Sequence, residues 1–138
     1  MKKIYVGCAL TDASEEFKQS VEEFKNQLRG EYEILDFVGL TAGTAADVYN
    51  WDIGKCVATC DAFIAVCDLP SIGLGCELNE AMRLGTPVIA IANEESKVTR
   101  LVLGMAEVQE NVTFERYSEN LGNALLAVKA WLTDTFAA

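Results

Sequence analysis

Five short apolar runs alternate with amphipathic segments along the whole chain, and that alternation limits the fold more than any other feature of the sequence. Lys3–Leu10 reads as a first strand. Asp12–Arg29 reads as a helix, because Phe17, Val21, Phe24 and Leu28 recur at steps of four, three and four. Asp12 with Glu15 forms a start of the capping-box kind, and Gly30 a stop. Glu31–Phe37 follows as a strand, then a loop of small residues through Gly39 and Gly43. Asp47–Cys60 is the next helix, with Tyr49, Ile53, Cys56, Val57 and Cys60 on one face. Ala62–Asp68 is the third strand. Its AFIAV core is apolar at odd and even positions alike, which suits a central parallel strand covered on both faces. Leu74–Leu84, Pro87–Asn93, Val98–Gln109, Val112–Tyr117 and Ser118–Phe136 continue as helix, strand, helix, strand and helix. In the last of these Leu121, Leu125, Val128 and Leu132 face inward.

Strand–helix alternation of this kind implies an α/β fold, a five-stranded parallel sheet in a three-layer α/β/α sandwich of flavodoxin or Rossmann-like type. The expected strand order is 2-1-3-4-5, with its switch point between the first and third strands. The loops leaving those strands, Gly7–Asp12 and Asp68–Gly75, should therefore meet at one crevice. With 138 residues and no linker or repeat, the expectation is one domain over 1–138.

Composition narrows the chemistry. The chain has no histidine, so proton transfer or nucleophilic attack falls to carboxylates, tyrosine, cysteine or lysine. A net charge of −10 with no basic stripe argues against nucleic-acid binding. A small phosphorylated ligand stays open, because a helix N-terminus and one or two cations can hold it. No apolar run reaches 18 residues, and MKKIYVGCAL is too strand-like for a secretory signal. Cys8, Cys56, Cys60, Cys67 and Cys76 show no metal-type spacing and read as free thiols of a reducing cytoplasm. No metal or cofactor is expected.

The Asp61–Gly85 stretch, DAFIAVCDLPSIGLGCELNEAMRLG, holds the leading candidates. On a helical wheel Leu74, Leu78, Ala81 and Gly85 form the inward stripe, with Glu77 on its rim and Glu80 toward solvent. Pro70 fixes the turn ahead of this helix. Gly73 and Gly75 permit close approach, so Ser71 and nearby amides can wrap an oxygen-rich group. Asp52 is a second rim carboxylate, on the preceding helix. Asp68 ends the third strand and either caps the next turn or acts, while Tyr5 belongs to the core unless its hydroxyl reaches the crevice.

Taken together, Tyr5, Asp52, the D-x-P-S-x-G-x-G-x-E run ending at Glu77, and AMRLGTPVIAI resemble the nucleoside 2-deoxyribosyltransferase family. The resemblance spans most of the chain and is firmest from Asp61 to Ile91. It implies cleavage of an N-glycosidic bond, with Glu77 as nucleophile at C1′, Asp52 assisting departure of the base, and Tyr5 near the sugar and the nucleophile. It also implies a homodimer or higher homo-oligomer, a small deoxynucleotide or deoxynucleoside as partner, and no membrane association. Gly7, Asp68, Ser71, Gly73 and Gly75 fall in the substrate-binding segments. Ser71 stands where transferases acting on free nucleosides typically carry an aspartate. Serine can donate to a 5′-phosphate that an aspartate would repel, so the motif looks closest to the branch hydrolysing 2′-deoxynucleoside 5′-monophosphates. After the fourth strand, where that branch uses a serine for phosphate, this chain offers Thr99 and Arg100, with Lys97 nearby. Asp52 lies nine residues before Asp61, one more than close relatives would have. Base exchange by a transferase, and a non-catalytic nucleotide-binding module, are the competing readings.

Overall fold

A computed structural model describes residues 1–137. Five strands, β1 (Lys3–Cys8), β2 (Glu33–Leu35), β3 (Ala62–Val66), β4 (Val88–Asn93) and β5 (Val112–Tyr117), form one parallel sheet in the order β2-β1-β3-β4-β5. This is the order expected from the alternation. Right-handed crossovers explain it: the chain winds outward from β1 to β2, then crosses back to lay β3 on β1's other side. In register, Tyr5 faces Leu35 on one side and Phe63 on the other.

Strand periodicity divides the core into two layers. Ile4, Val6, Ile64, Val66, Ile89 and Ile91 face one side, under α1 (Glu15–Leu28) and α5 (Leu125–Phe136). Tyr5, Phe63, Ala65, Val88 and Ala90 face the other, under α3 (Ile72–Arg83) and α4 (Arg100–Val108). All five β3 residues are buried, as a central parallel strand requires. Each large apolar side chain so enclosed contributes roughly 1.5–3 kcal/mol.

Element boundaries differ from the sequence expectations in ways that local chemistry explains. The cap of α1 is Ser14, whose hydroxyl accepts from the Phe17 N–H at 3.1 Å, and not Asp12. Gly30 does follow the helix, at φ 99°. The second helix starts earlier than expected: Thr44 and Asp47 form a reciprocal capping box for α2 (Ala45–Trp51). It then passes into a π-helical turn over Asp52–Val57. A π-turn accommodates one residue more than regular helix would. The rotation also alters the buried face. Cys56 and Val57 are fully enclosed, whereas Tyr49, expected inward, is 65% exposed. The closing segment begins as a tight 3₁₀ turn, Leu121–Ala124, before α5.

Candidate active site

Period-2 alternation places Tyr5 and Gly7 on the same face of β1, beneath the first turns of α3. Tyr5 is fully buried against Phe63, ring centroids 5.4 Å apart, and its hydroxyl donates a hydrogen bond to Glu77 Oε2. Gly7 leaves the space that Glu77 occupies. A Cβ at that position would lie 3.1 Å from Glu77 Oε1, Leu74 Cδ1 and Phe63 Cζ alike. Glu77 therefore sits over the C-terminal end of β1, its own helix held down by Leu74, Leu78 and Ala81.

Glu77 is 9% exposed. Burial pushes its carboxyl up to about 7; the Tyr5 hydrogen bond pulls the other way, Asp52 adds to the rise, and Lys25 opposes it. The Tyr5 hydroxyl is driven far above its ordinary range, first by burial and then by Glu77, so it stays a donor. Asp52 is raised by burial and partly held down by the Val38 N–H, which donates to its Oδ1 at 3.0 Å.

Tyr5, Asp52, Ser71, Gly73 and Glu77 line a single cleft of about 350 Å3. Its remaining wall is largely apolar and includes Phe37, Leu40, Val48, Tyr49 and Leu74. A second cleft, about 520 Å3, joins the first at Ser71 and Leu74 and is lined also by Gly75, Lys97 and Thr99. The N-termini of α3 and α4 both border this cleft. Ser71 Oγ accepts from the Leu74 N–H at 3.1 Å, and Thr99 Oγ1 from the Leu101 N–H at 3.3 Å. Each hydroxyl thus caps its helix with a lone pair and keeps its own proton to donate.

Two expected residues stand apart. Arg100 is exposed and borders neither cleft; Lys97 provides the cation at the second one. Asp68 accepts from the Tyr117 hydroxyl and lines a separate depression, with Asn93 and Ser96, on the far side of the sheet's end. β3 ends at Val66, and the chain turns so that Asp68 faces β5 rather than α3. Among the described residues no three histidine, cysteine, aspartate or glutamate side chains form a metal-type cluster, and no helix is long and apolar enough to cross a membrane. All five cysteines are free thiols, Cys76 alone exposed.

Lys25 was not among the residues the sequence singled out. It is completely buried, its ammonium 3.1 Å from Glu22 and 3.5 Å from Asp36, and 3.8 Å from the centre of the Phe37 ring. The signal was available: Lys25 follows Val21 by four and precedes Leu28 by three, which places it on the inward stripe.

The chain matches no protein-family model, and no curated protein matches it. Solved structures do match. A CMP N-glycosidase of Clostridium botulinum, BcmB, superposes with a TM-score of 0.76 at 20% identity, over 94% of this chain and 99% of that one. A 2-deoxyribosyltransferase from Leishmania mexicana gives 0.65 at 17% identity, over 97% and 98%. A segment amounting to 17% of a lysine decarboxylase from Francisella novicida gives 0.56 at 11% identity, over 98% of this chain. At these identities the likeness establishes the three-layer α/β fold, which hosts unrelated chemistries.

Proposed function

We propose that the protein cleaves the N-glycosidic bond of 2′-deoxynucleoside 5′-monophosphates through a covalent deoxyribosyl-glutamate. The observation that carries this reading is the buried Glu77 carboxyl, held by the Tyr5 hydroxyl and facing one cleft with Asp52. The likeness to an N-glycosidase and a deoxyribosyltransferase, each over nearly its whole length, supports it.

The sugar lies against Glu77, its 5′-phosphate toward Ser71, Thr99 and Lys97, and its base toward Asp52. Glu77 attacks C1′ as the C1′–N bond breaks, and the base nitrogen takes the departing electron pair and the proton from Asp52. A carboxylate stabilises the oxocarbenium-like transition state and then captures it, as in retaining glycosidases. Asp52, now ionised, takes a proton from the water that attacks C1′ and frees Glu77. Acid assistance of this kind contributes roughly 10²–10⁴-fold. The two carboxyls need one proton between them in this scheme, and a coupled pair with Glu77 near 7 holds one below neutrality.

Incubation with a panel of deoxynucleosides, their 5′-monophosphates and the corresponding ribonucleotides, with assay for free base, tests the reading. Release confined to deoxynucleoside monophosphates, with a sugar trapped on Glu77, is the expected result. Base exchange on adding an acceptor base would place the protein among transferases instead. We also propose a homo-oligomer, for which Ile72 and Leu101, 90% and 81% exposed beside the second cleft, offer apolar surface; light scattering measures it.

A further inference from the structure

The one fully buried charge in the described chain lies behind the wall of the cleft rather than in it. Lys25 rises from α1 into the core and places its ammonium over the Phe37 ring at 3.8 Å. Glu22 and Asp36 flank it, and Arg29 Nη2 bonds the same Asp36 Oδ1 at 2.8 Å. Burial alone would raise Asp36, but Arg29 and Lys25 hold it below the usual carboxylate range. Such a paired, enclosed ammonium is costly to displace.

Phe37 is thereby fixed between two environments. Half-buried, it packs on both core layers, and it also lines the 350 Å3 cleft together with Asp52. The segment carrying it is tied at three further points. Trp51 Nε1 donates to the Asp36 carbonyl at 2.7 Å, Cys56 Sγ approaches the same oxygen at 3.6 Å, and the Val38 N–H holds Asp52. Around it, Leu40 and Tyr49 leave 56% and 65% of their surface open while lining the same cleft. A rigid aromatic face in a largely apolar cleft wall, with Asp52 and Glu77 as the carboxyls lining the cleft, suits a flat heteroaromatic ring better than a phosphate.

Resting on the N-glycosidase reading, we propose that Phe37, backed by Lys25, is the platform on which the leaving base stacks. A cation on one face of the ring draws its π density away from the other, which favours an electron-rich base there. It also holds the ring still, so less freedom is lost when the base arrives. Phe37 is then a binding residue and Lys25 a positioning residue acting through it.

The test uses the intact chain carrying Glu77→Gln, so that ligand is not consumed. Calorimetry compares a deoxynucleoside 5′-monophosphate with 2-deoxyribose 5-phosphate, which lacks the base. Phe37→Leu should weaken the nucleotide about tenfold and leave the sugar phosphate unchanged. Lys25→Met should weaken the nucleotide about threefold, again without affecting the sugar phosphate, and Lys25→Arg should restore most of the loss. Thermal melts of each variant identify folded protein; if Lys25→Met fails to fold, the Phe37→Leu comparison decides alone. Equal loss for both ligands, or none for the nucleotide, overturns the platform. Absence of nucleotide binding before Phe37 or Lys25 is changed overturns the N-glycosidase reading and the platform with it.

Discussion

Replacing Glu77 by glutamine should abolish base release and at the same time make the fold more stable above neutral pH. A carboxyl that titrates at about 7 when folded and near 4.5 when unfolded binds its proton more tightly in the folded state. Between those values the folded chain keeps a proton that the unfolded chain has released, so the free energy of unfolding falls as pH rises. The penalty is absent below about pH 4.5, grows through the window, and is complete above about 7. A shift of this size corresponds to about 3 kcal/mol. Glutamine fills the same space and still accepts from the Tyr5 hydroxyl, but carries no charge to desolvate. Glu77→Gln should therefore match the parent protein near pH 4.5 and exceed it by about 3 kcal/mol at pH 8, a rise in Tm of about 10 °C. Urea titrations of both proteins across this range measure the difference. Asp52, Asp68 and Asp36 contribute pH dependence of their own, which the comparison largely cancels. Parallel stability curves for the two proteins would refute the idea that burial holds Glu77 in its protonated form.

Asp52→Asn should lower kcat/KM by roughly 10²–10⁴-fold and remove the alkaline limb of a bell-shaped pH profile, because the pair then has no proton for the base. An unchanged profile would make Asp52 a bystander. Ser71→Ala should cost about 1 kcal/mol of stability through the lost helix cap, visible in thermal melts. It should also cost on the order of tenfold to a hundredfold in kcat/KM on monophosphates, beyond any loss on free nucleosides. Equal losses on both substrates would leave Ser71 with the cap alone. Gly7→Ala should destabilise by about 1–3 kcal/mol, because its new methyl meets Glu77, Leu74 and Phe63 at once, and should depress kcat as Glu77 is displaced. Full activity in a folded Gly7→Ala protein would show that Glu77 needs no such clearance.

The legible part of the site follows from periodicity. AFIAV, apolar at every position, identified the central strand, and the wheel placed Glu77 on the rim of a helix that had to lie on that strand. The family resemblance pointed to Tyr5, Asp52 and Ser71 as well, and the structure brings all three to one cleft with Glu77. What spacing could not supply was the side of the sheet's end to which each loop residue turns. Asp68 lies only three positions before Ser71, yet it bonds Tyr117 across β4, in a different depression.

Lys25 marks the same boundary from the other direction. An inward lysine on α1 breaks the apolar stripe, and no local rule says whether it bends out to solvent or stays. It stays because Glu22, Asp36 and the Phe37 ring, from two elements, meet around its ammonium. The sequence by itself determined the layers, the strand order and which helix turns overhang the switch point, because those depend on periods of 2 and 3.6 and on the hand of the crossover. Tertiary structure alone decided the hydrogen bond that joins Tyr5 to Glu77, the clearance at Gly7 and the enclosure of Lys25. Each depends on contacts between segments far apart in the chain, where burial and charge pairing outweigh local preference.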